Sequence, residues 1–223
     1  MFELVLATAN PGKISEIRQI LSGFPVRLVT KDEVESWPEI VESGRSYLEN
    51  ALIKARALVE ATGRAALADD SGIEVDALGG RPGMLSARFA GPGATDEQNN
   101  KKLAHLLRDV SPERRGARYR CVAVVAMPGG REIAAEATCE GSIATTPRGH
   151  EGFGYDPWFL PEGSVRTFAE FPPDEKHAIS HRGKALRQLL QELEKIHPLD
   201  GAGGPEDPAA QLVTTNDAAR RDE

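Results

Sequence analysis

Cysteine is nearly missing from this 223-residue chain: Cys121 and Cys139 are the only two. Two thiols cannot by themselves make a metal-binding cysteine cluster or a disulfide framework, so a reduced, cytoplasmic setting is expected. No apolar run approaches the ~20 residues needed to cross a bilayer. Met1 to Thr8 carries no basic segment ahead of its apolar run, so a secretory signal is not expected. Aromatic residues are scarce, at 5%. An excess of positive charge is also missing, since 27 Lys and Arg face 34 Asp and Glu for a net −7. That balance argues against duplex nucleic acid as the main partner.

What is present suits one large globular domain, long enough to bury roughly 70% of its unfolded surface. Phe2 to Ala7 is a short β-prone run that stops at Thr8-Ala9-Asn10-Pro11-Gly12-Lys13. Ile14, Ile17 and Leu21 then recur at helical spacing, with Asn10 as cap and Pro11 at the first helical position. A second strand is expected at Val26–Val29 and a second helix over Ser46–Ala61, closed by Gly63. On that helix Asn50 and Lys54 share a polar face. Ala65 to Ala68 forms an apolar strand running into Asp69-Asp70-Ser71-Gly72. Residues 79–93 are a Gly- and Pro-rich loop, and Thr95 caps a third helix to about Arg108. Arg118–Met127 and Arg131–Ile143 alternate as an antiparallel pair about Pro128-Gly129-Gly130. A second loop spans Pro147–Pro157, and one last helix is expected from about Asp174 to Ile196. From residue 200 onward Gly and Pro remove all periodicity, so 1–199 reads as a single domain and 200–223 as a disordered tail. These elements make a mixed α/β fold.

Four clusters carry chemical potential, each with a plainer alternative. Thr8 to Lys13 opens a helix, where outward backbone N–H groups, the dipole and a lysine suit a phosphate; a simple capped turn is the other reading. The Asp69-Asp70 pair alternates across its strand if the chain stays extended, so one carboxylate can face a site, holding Mg²⁺ or activating water, while its neighbour orients. The alternative there is an acidic Asx turn. Phe153-Gly154-Tyr155-Asp156 can stack on a base and accept from its edge, or merely anchor a loop by its aromatics. Lys176 to Lys184 places Lys176, Ser180 and Lys184 on one helical face, with His181 and Arg182 as donors, or forms an ordinary solvated basic face.

Together, Thr8-x-Asn10-x-x-Lys13, Glu49-Asn50-Ala51 with Lys54, Ala68 to Gly72, Ser86-Ala87-Arg88-Phe89, Gly152 to Pro157 and Ser180-His181-Arg182 resemble the inosine/xanthosine triphosphate pyrophosphatase family, in order from residue 3 to about 195. The resemblance implies a two-lobed protein with a long curved mixed sheet, a nucleotide cleft between the lobes, and a homodimer; the apolar Ser86–Ala90 region is a candidate for the dimer contact. It implies that Thr8, Ala9, Asn10, Pro11, Gly12 and Lys13 cradle the triphosphate with Asn50 and Lys54. Asp70 becomes the catalytic residue and a Mg²⁺ ligand, supported by Asp69, and Ser71 touches the substrate. Phe153, Gly154, Tyr155 and Asp156 bind the purine, the Phe153 ring stacking on it. Lys176, His181 and Arg182 close over the nucleotide, the last two reading the 6-keto group. One departure stands out: Val41 occupies the place of a metal-reaching acid, leaving Glu39 and Glu42 as candidates for the second metal carboxylate.

The implied reaction is attack of water on the α-phosphorus, with pyrophosphate leaving toward Mg²⁺ and lysines. A nucleotide-binding module without turnover, and a different nucleotide or nucleic-acid hydrolase on a similar scaffold, are the competing readings. The charge also divides unevenly. Residues 200–223 hold six acids against two bases and so carry −4, leaving −3 on residues 1–199, which concentrate Lys13, Lys54, Lys176, His181 and Arg182 in the expected cleft.

Overall fold

The computed structural model describes residues 2–197 and the backbone of 212–215. Strand β1 (Phe2–Leu6) leads into helix α1 (Pro11–Leu21), β2 (Val26–Val29), α2 (Tyr47–Thr62) and the long strand β3 (Ala66–Val75). There follow β4 (Arg81–Pro82), α3 (Asp96–Leu107), β5 (Gly116–Ala126), β6 (Glu132–Ile143) and β7 (Phe159–Pro161). Helices α4 (Pro173–Ile179) and α5 (His181–Ile196) come next, then β8 (Leu212–Thr215). One mixed sheet runs β2-β1-β3-β5-β6-β7, with β4 on β3 and β8 on β6. β1 pairs in parallel with β2 and β3, whereas β3, β5, β6 and β7 are antiparallel neighbours. The expected α/β class with helices flanking a mixed sheet is therefore what the chain forms.

Alternation along β3 sorts two cores. Leu67 joins Leu4, Leu6, Cys121 and Ala123 under α1 and α5, while Ala66 and Ala68 join Val5, Val122 and Val124 under α2. A third core, around Ile73, Tyr119, Phe159 and Phe168, fills the far end. Each buried Leu or Phe contributes roughly 1.5–3 kcal/mol. Among the described residues no helix is long and apolar enough to cross a membrane.

The helix starts follow their caps. Asn10 accepts from Lys13 N and Ser46 from Glu49 N, both at 3.1 Å. Gly63 closes α2 at φ 65°, a conformation costly for any side chain.

Three expectations need correction. The strand expected to end at Ala68 continues through both acids to Val75, because β5 pairs with it residue for residue from Ala66 to Val75. Part of the 79–93 loop is ordered, as β4 and a 3₁₀ turn over Gly83–Arg88. The single last helix is two. Ser180 is extended (ψ 153°) and its hydroxyl accepts from Gly183 N, so the side chain that breaks α4 starts α5. A Cβ on Gly183 would lie 1.9 Å from the His177 carbonyl, so glycine permits the tight corner. The face shared by Lys176, Ser180 and Lys184 therefore does not exist. Within 200–223, Leu212–Thr215 pairs in parallel with Glu132–Ala135 of β6; the rest of that expected tail lies outside the described residues.

Candidate functional site

The site is organised by β3. Asp69 and Asp70 are consecutive in an extended strand, so they point to opposite faces. Asp69 turns toward α1 and α5. Its Oδ2 lies 3.1 Å from Lys13 Nζ and 3.1 Å from Arg182 Nε. Burial alone would raise its proton affinity, but Lys13 and Arg182 outweigh that and hold the carboxyl well below its usual range. Asp70 turns toward α2. Its Oδ2 accepts from Asn50 Nδ2 at 3.2 Å, and its Oδ1 lies 3.5 Å from Lys54 Nζ. Here burial prevails over Lys54 and Lys13, and the nearby Glu42 adds to it, so the Asp70 carboxyl is raised. Both Asn50 and Lys54 are buried, so the polar stripe of α2 packs onto the strand rather than facing solvent.

Glu42 Oε1 lies 3.3 Å from the same Lys54 Nζ, so Glu42 and Asp70 converge on one ammonium. Glu39 is exposed and lies outside the cavity that Glu42, Lys54, Asp70 and Lys13 line. Of the two candidate carboxylates, the fold brings only Glu42 to Asp70. Two hard oxygen donors converging beside a lysine fit Mg²⁺, which is commonly held by one or two carboxylates plus substrate phosphates.

Thr8, Ala9 and Asn10 line this same cavity. Pro11 faces an outer groove instead, beside Arg18 and Lys31. Gly12 has a different duty. A Cβ there would meet the Phe153 ring at 2.7 Å, so its absence lets the aromatic lie on the first turn of α1.

A second cavity shares Asn10, Lys13 and Ser71 with the first and adds Phe153, Gly154, Tyr155, Asp156, Lys176, His181 and Arg182. Phe153 presents its ring there, with Lys176 Nζ and Arg182 Cζ at 5.6 and 5.5 Å from its centroid. Tyr155 and Asp156 play supporting parts. The Tyr155 hydroxyl donates to Ser86 O at 2.8 Å, and Asp156 Oδ2 accepts from Phe153 N at 2.9 Å. Both aromatics line this cavity and both also anchor the loop, Phe153 on the first turn of α1 and Tyr155 on Ser86 O. Ser86 is buried and Ala87 lines both cavities, so this part of the Ser86–Ala90 region faces the cleft.

Lys176 pairs with both Asp156 and Glu16, and Glu16 pairs in turn with Arg182. Burial penalises the Glu16 carboxylate, yet Arg182 and Lys176 bring it down to about 2. Burial raises Asp156 against the pull of Lys176. Arg182 Nη2 also donates to Ser71 Oγ at 2.8 Å. His181 stacks flat on Tyr119, with centroids 4.5 Å apart and planes at 3°. Burial, aided by Arg182, keeps its imidazole neutral, and its Nδ1 is a buried atom without a hydrogen-bond partner.

Sequence reasoning missed Glu16 and Tyr119. A glutamate on an exposed-looking stretch of α1 reads as solvated, and Tyr119 reads as ordinary strand core. The available signals were slight: Glu16 follows Lys13 by one helical turn, and Tyr119 alternates inward with Cys121.

Residues 4–192 match the model of the Ham1 family. The chain is 47% identical over 198 residues to a dITP/XTP pyrophosphatase of Streptomyces coelicolor, covering 88% of this chain and 99% of that one. It is 46% identical over 195 residues to a dITP/XTP pyrophosphatase of Desulforamulus reducens, covering 87% and 97%. Among solved structures, a HAM1 protein from Coxiella burnetii superposes with a TM-score of 0.77 at 40% identity, over 87% of this chain and all (100%) of that one. A nucleoside-triphosphatase, dITP/XTP pyrophosphatase, from Mycobacterium abscessus gives 0.68 at 46% identity, over 86% and 100%.

Proposed function

The chain belongs to the Ham1 family, and we propose that it is a nucleoside-triphosphate pyrophosphatase that cleanses the nucleotide pool of non-standard purines. It takes dITP/ITP and XTP/dXTP to the monophosphate and pyrophosphate. The observation that carries this reading is the pair of joined cavities. One presents a ring and a neutral imidazole, and the other presents two carboxylates and two lysines. Each suits one end of a purine nucleotide.

In this mechanism the triphosphate lies along the α1 N-terminus, where Thr8, Asn10 and Lys13 meet the helix dipole. Asp70 orients the water that attacks the α-phosphorus and takes its proton; the raised proton affinity of its carboxyl suits that task. Lys13 and Lys54 meet the charge that develops on the departing pyrophosphate. Asp70 and Glu42 would hold Mg²⁺, which when bound supplies further neutralisation of that charge. The purine lies against Phe153. His181, with Arg182 beside it, offers a donor to a 6-keto oxygen, whereas the 6-amino group of adenine brings donor against donor. A buried unpaired polar group costs about 1–3 kcal/mol, and two give discrimination of order 10² or more. The working unit proposed is a cytoplasmic homodimer.

Pyrophosphate release from dITP, XTP, dGTP and dATP with Mg²⁺ tests the proposal. Fast release from dITP and XTP alone supports it. No release from any of the four favours a binding module without turnover, and equal rates on all four remove the selectivity.

A further inference from the structure

Asp69 does not line either cavity, yet it is paired with two of the cations that do. One of its oxygens, Oδ2, serves two cations at once, Lys13 Nζ at 3.1 Å and Arg182 Nε at 3.1 Å. Its other oxygen, Oδ1, is buried and has no hydrogen-bond partner. Cys121 Sγ, 4.0 Å from Oδ2, adds only a weak third contact, so the carboxylate is positioned mainly by the two cations it joins. Those cations differ in what else they face. Lys13 lies at the helix start shared by both cavities, and Arg182 lies in the cavity of Phe153 and His181. Arg182 is also tied through Glu16 to Lys176, and Lys176 to Asp156, which orders the Phe153 loop.

The result is a continuous chain of alternating charge, Asp156–Lys176–Glu16–Arg182–Asp69–Lys13, buried up to the half-buried Lys13. Low-polarity surroundings strengthen each link, so a displaced charge is felt by its neighbours. Arg182 also donates to Ser71 Oγ, directly beside Asp70 in β3. A shift of the guanidinium therefore reaches both the phosphate lysine and the strand that carries the reacting carboxylate.

We propose that Asp69 is a positioning residue that couples recognition of the base at Arg182 to the placement of Lys13 at the phosphates. It acts through Arg182 and Lys13 and touches no reacting atom. This rests on the pyrophosphatase reading above. A base that seats Arg182 correctly sets Lys13 where pyrophosphate leaves, and a base that displaces Arg182 misplaces it. Misplacement of about 1 Å costs roughly 10²-fold in rate. Selection against the wrong base then shows in kcat and not only in KM.

The test is steady-state kinetics of wild type and Asp69→Asn on dITP and on a poor substrate, dGTP or dATP. The isosteric amide keeps the volume but removes the negative charge that Lys13 and Arg182 share. The expected result is a fall of about 10²-fold in kcat for dITP and a much smaller fall for the poor substrate. The kcat ratio then collapses while the KM ratio persists. An equal fall on both substrates overturns the proposal, because it is what a merely structural or directly catalytic role produces. A wild type that releases no pyrophosphate from any substrate instead removes the functional reading, a separate outcome.

Should Asp69→Asn fail to fold, the wild type answers alone. Coupling is reciprocal, so a nucleoside that seats Arg182 must also change the affinity for inorganic pyrophosphate. Saturating deoxyinosine is expected to tighten pyrophosphate binding about tenfold, and deoxyadenosine to leave it unchanged. The same change with both nucleosides overturns the coupling.

Discussion

Asp69 and Asp70 are neighbours in sequence and opposites in setting. On one face of β3, Asp69 is fully screened from solvent and shared between Lys13 and Arg182, and its charge is held on. On the other face, Asp70 has one amide contact and a long approach to Lys54, adjoins Glu42, and binds its proton more readily than usual. The first setting suits a fixed structural charge. The second suits a group that must exchange partners during a reaction. Two identical side chains thus divide their duties because a strand alternates and because different helices cover its two faces.

The largest effect that sharpens this contrast is on rate. Asp70→Asn is expected to lower kcat on dITP by about 10³-fold or more, with the melting temperature unchanged or slightly raised, since burial already disfavours its charge. A thermal scan beside the assay checks both. Asp69→Asn is expected to do the reverse in stability. Removing one member of a buried ion pair costs about 3 kcal/mol, which for a domain of this size lowers the melting temperature by roughly 6–12 °C.

Glu16 extends the Asp69 face, and its pH dependence follows from its shift. Its folded carboxyl sits at about 2 against 4.5. The ionised form therefore stabilises the fold fully above pH 4.5, and that contribution drains away as the pH falls toward 2. Glu16→Gln is expected to flatten the acid limb in this window by about 3 kcal/mol, read by urea unfolding at a series of pH values. On the Asp70 face, Glu42→Gln is expected to reduce kcat/KM by about tenfold, recovering in part at raised Mg²⁺. Glu39→Gln is expected to change it by less than about twofold, because Glu39 is exposed and outside the cavity. Equal effects at Glu39 and Glu42 would break the assignment.

Much of this was legible before folding. Alternation placed the two acids on opposite faces, the i, i+4 spacing brought Asn50 and Lys54 together, and caps at Asn10 and Thr95 located two helix starts. What was not legible depends on long-range contacts. Glu16 meets Lys176 across 160 residues, and no local pattern announces that a helix-surface acid will be buried by a distant helix. The break at Ser180 was hidden because Lys-His-Ala-Ile-Ser-His-Arg is compatible with a continuous helix. Only the close approach of Gly183 to the His177 carbonyl, and the Ser180 cap, favour two helices. The choice between Glu39 and Glu42 likewise needed the path of the chain before α2.

The division of duties across β3 is tested most directly by Mn²⁺ binding, followed by its paramagnetic resonance signal, in wild type, Asp70→Asn and Asp69→Asn. Loss of the bound signal in Asp70→Asn, with its retention in folded Asp69→Asn, is the expected result. Retention in Asp70→Asn with loss in folded Asp69→Asn would contradict it.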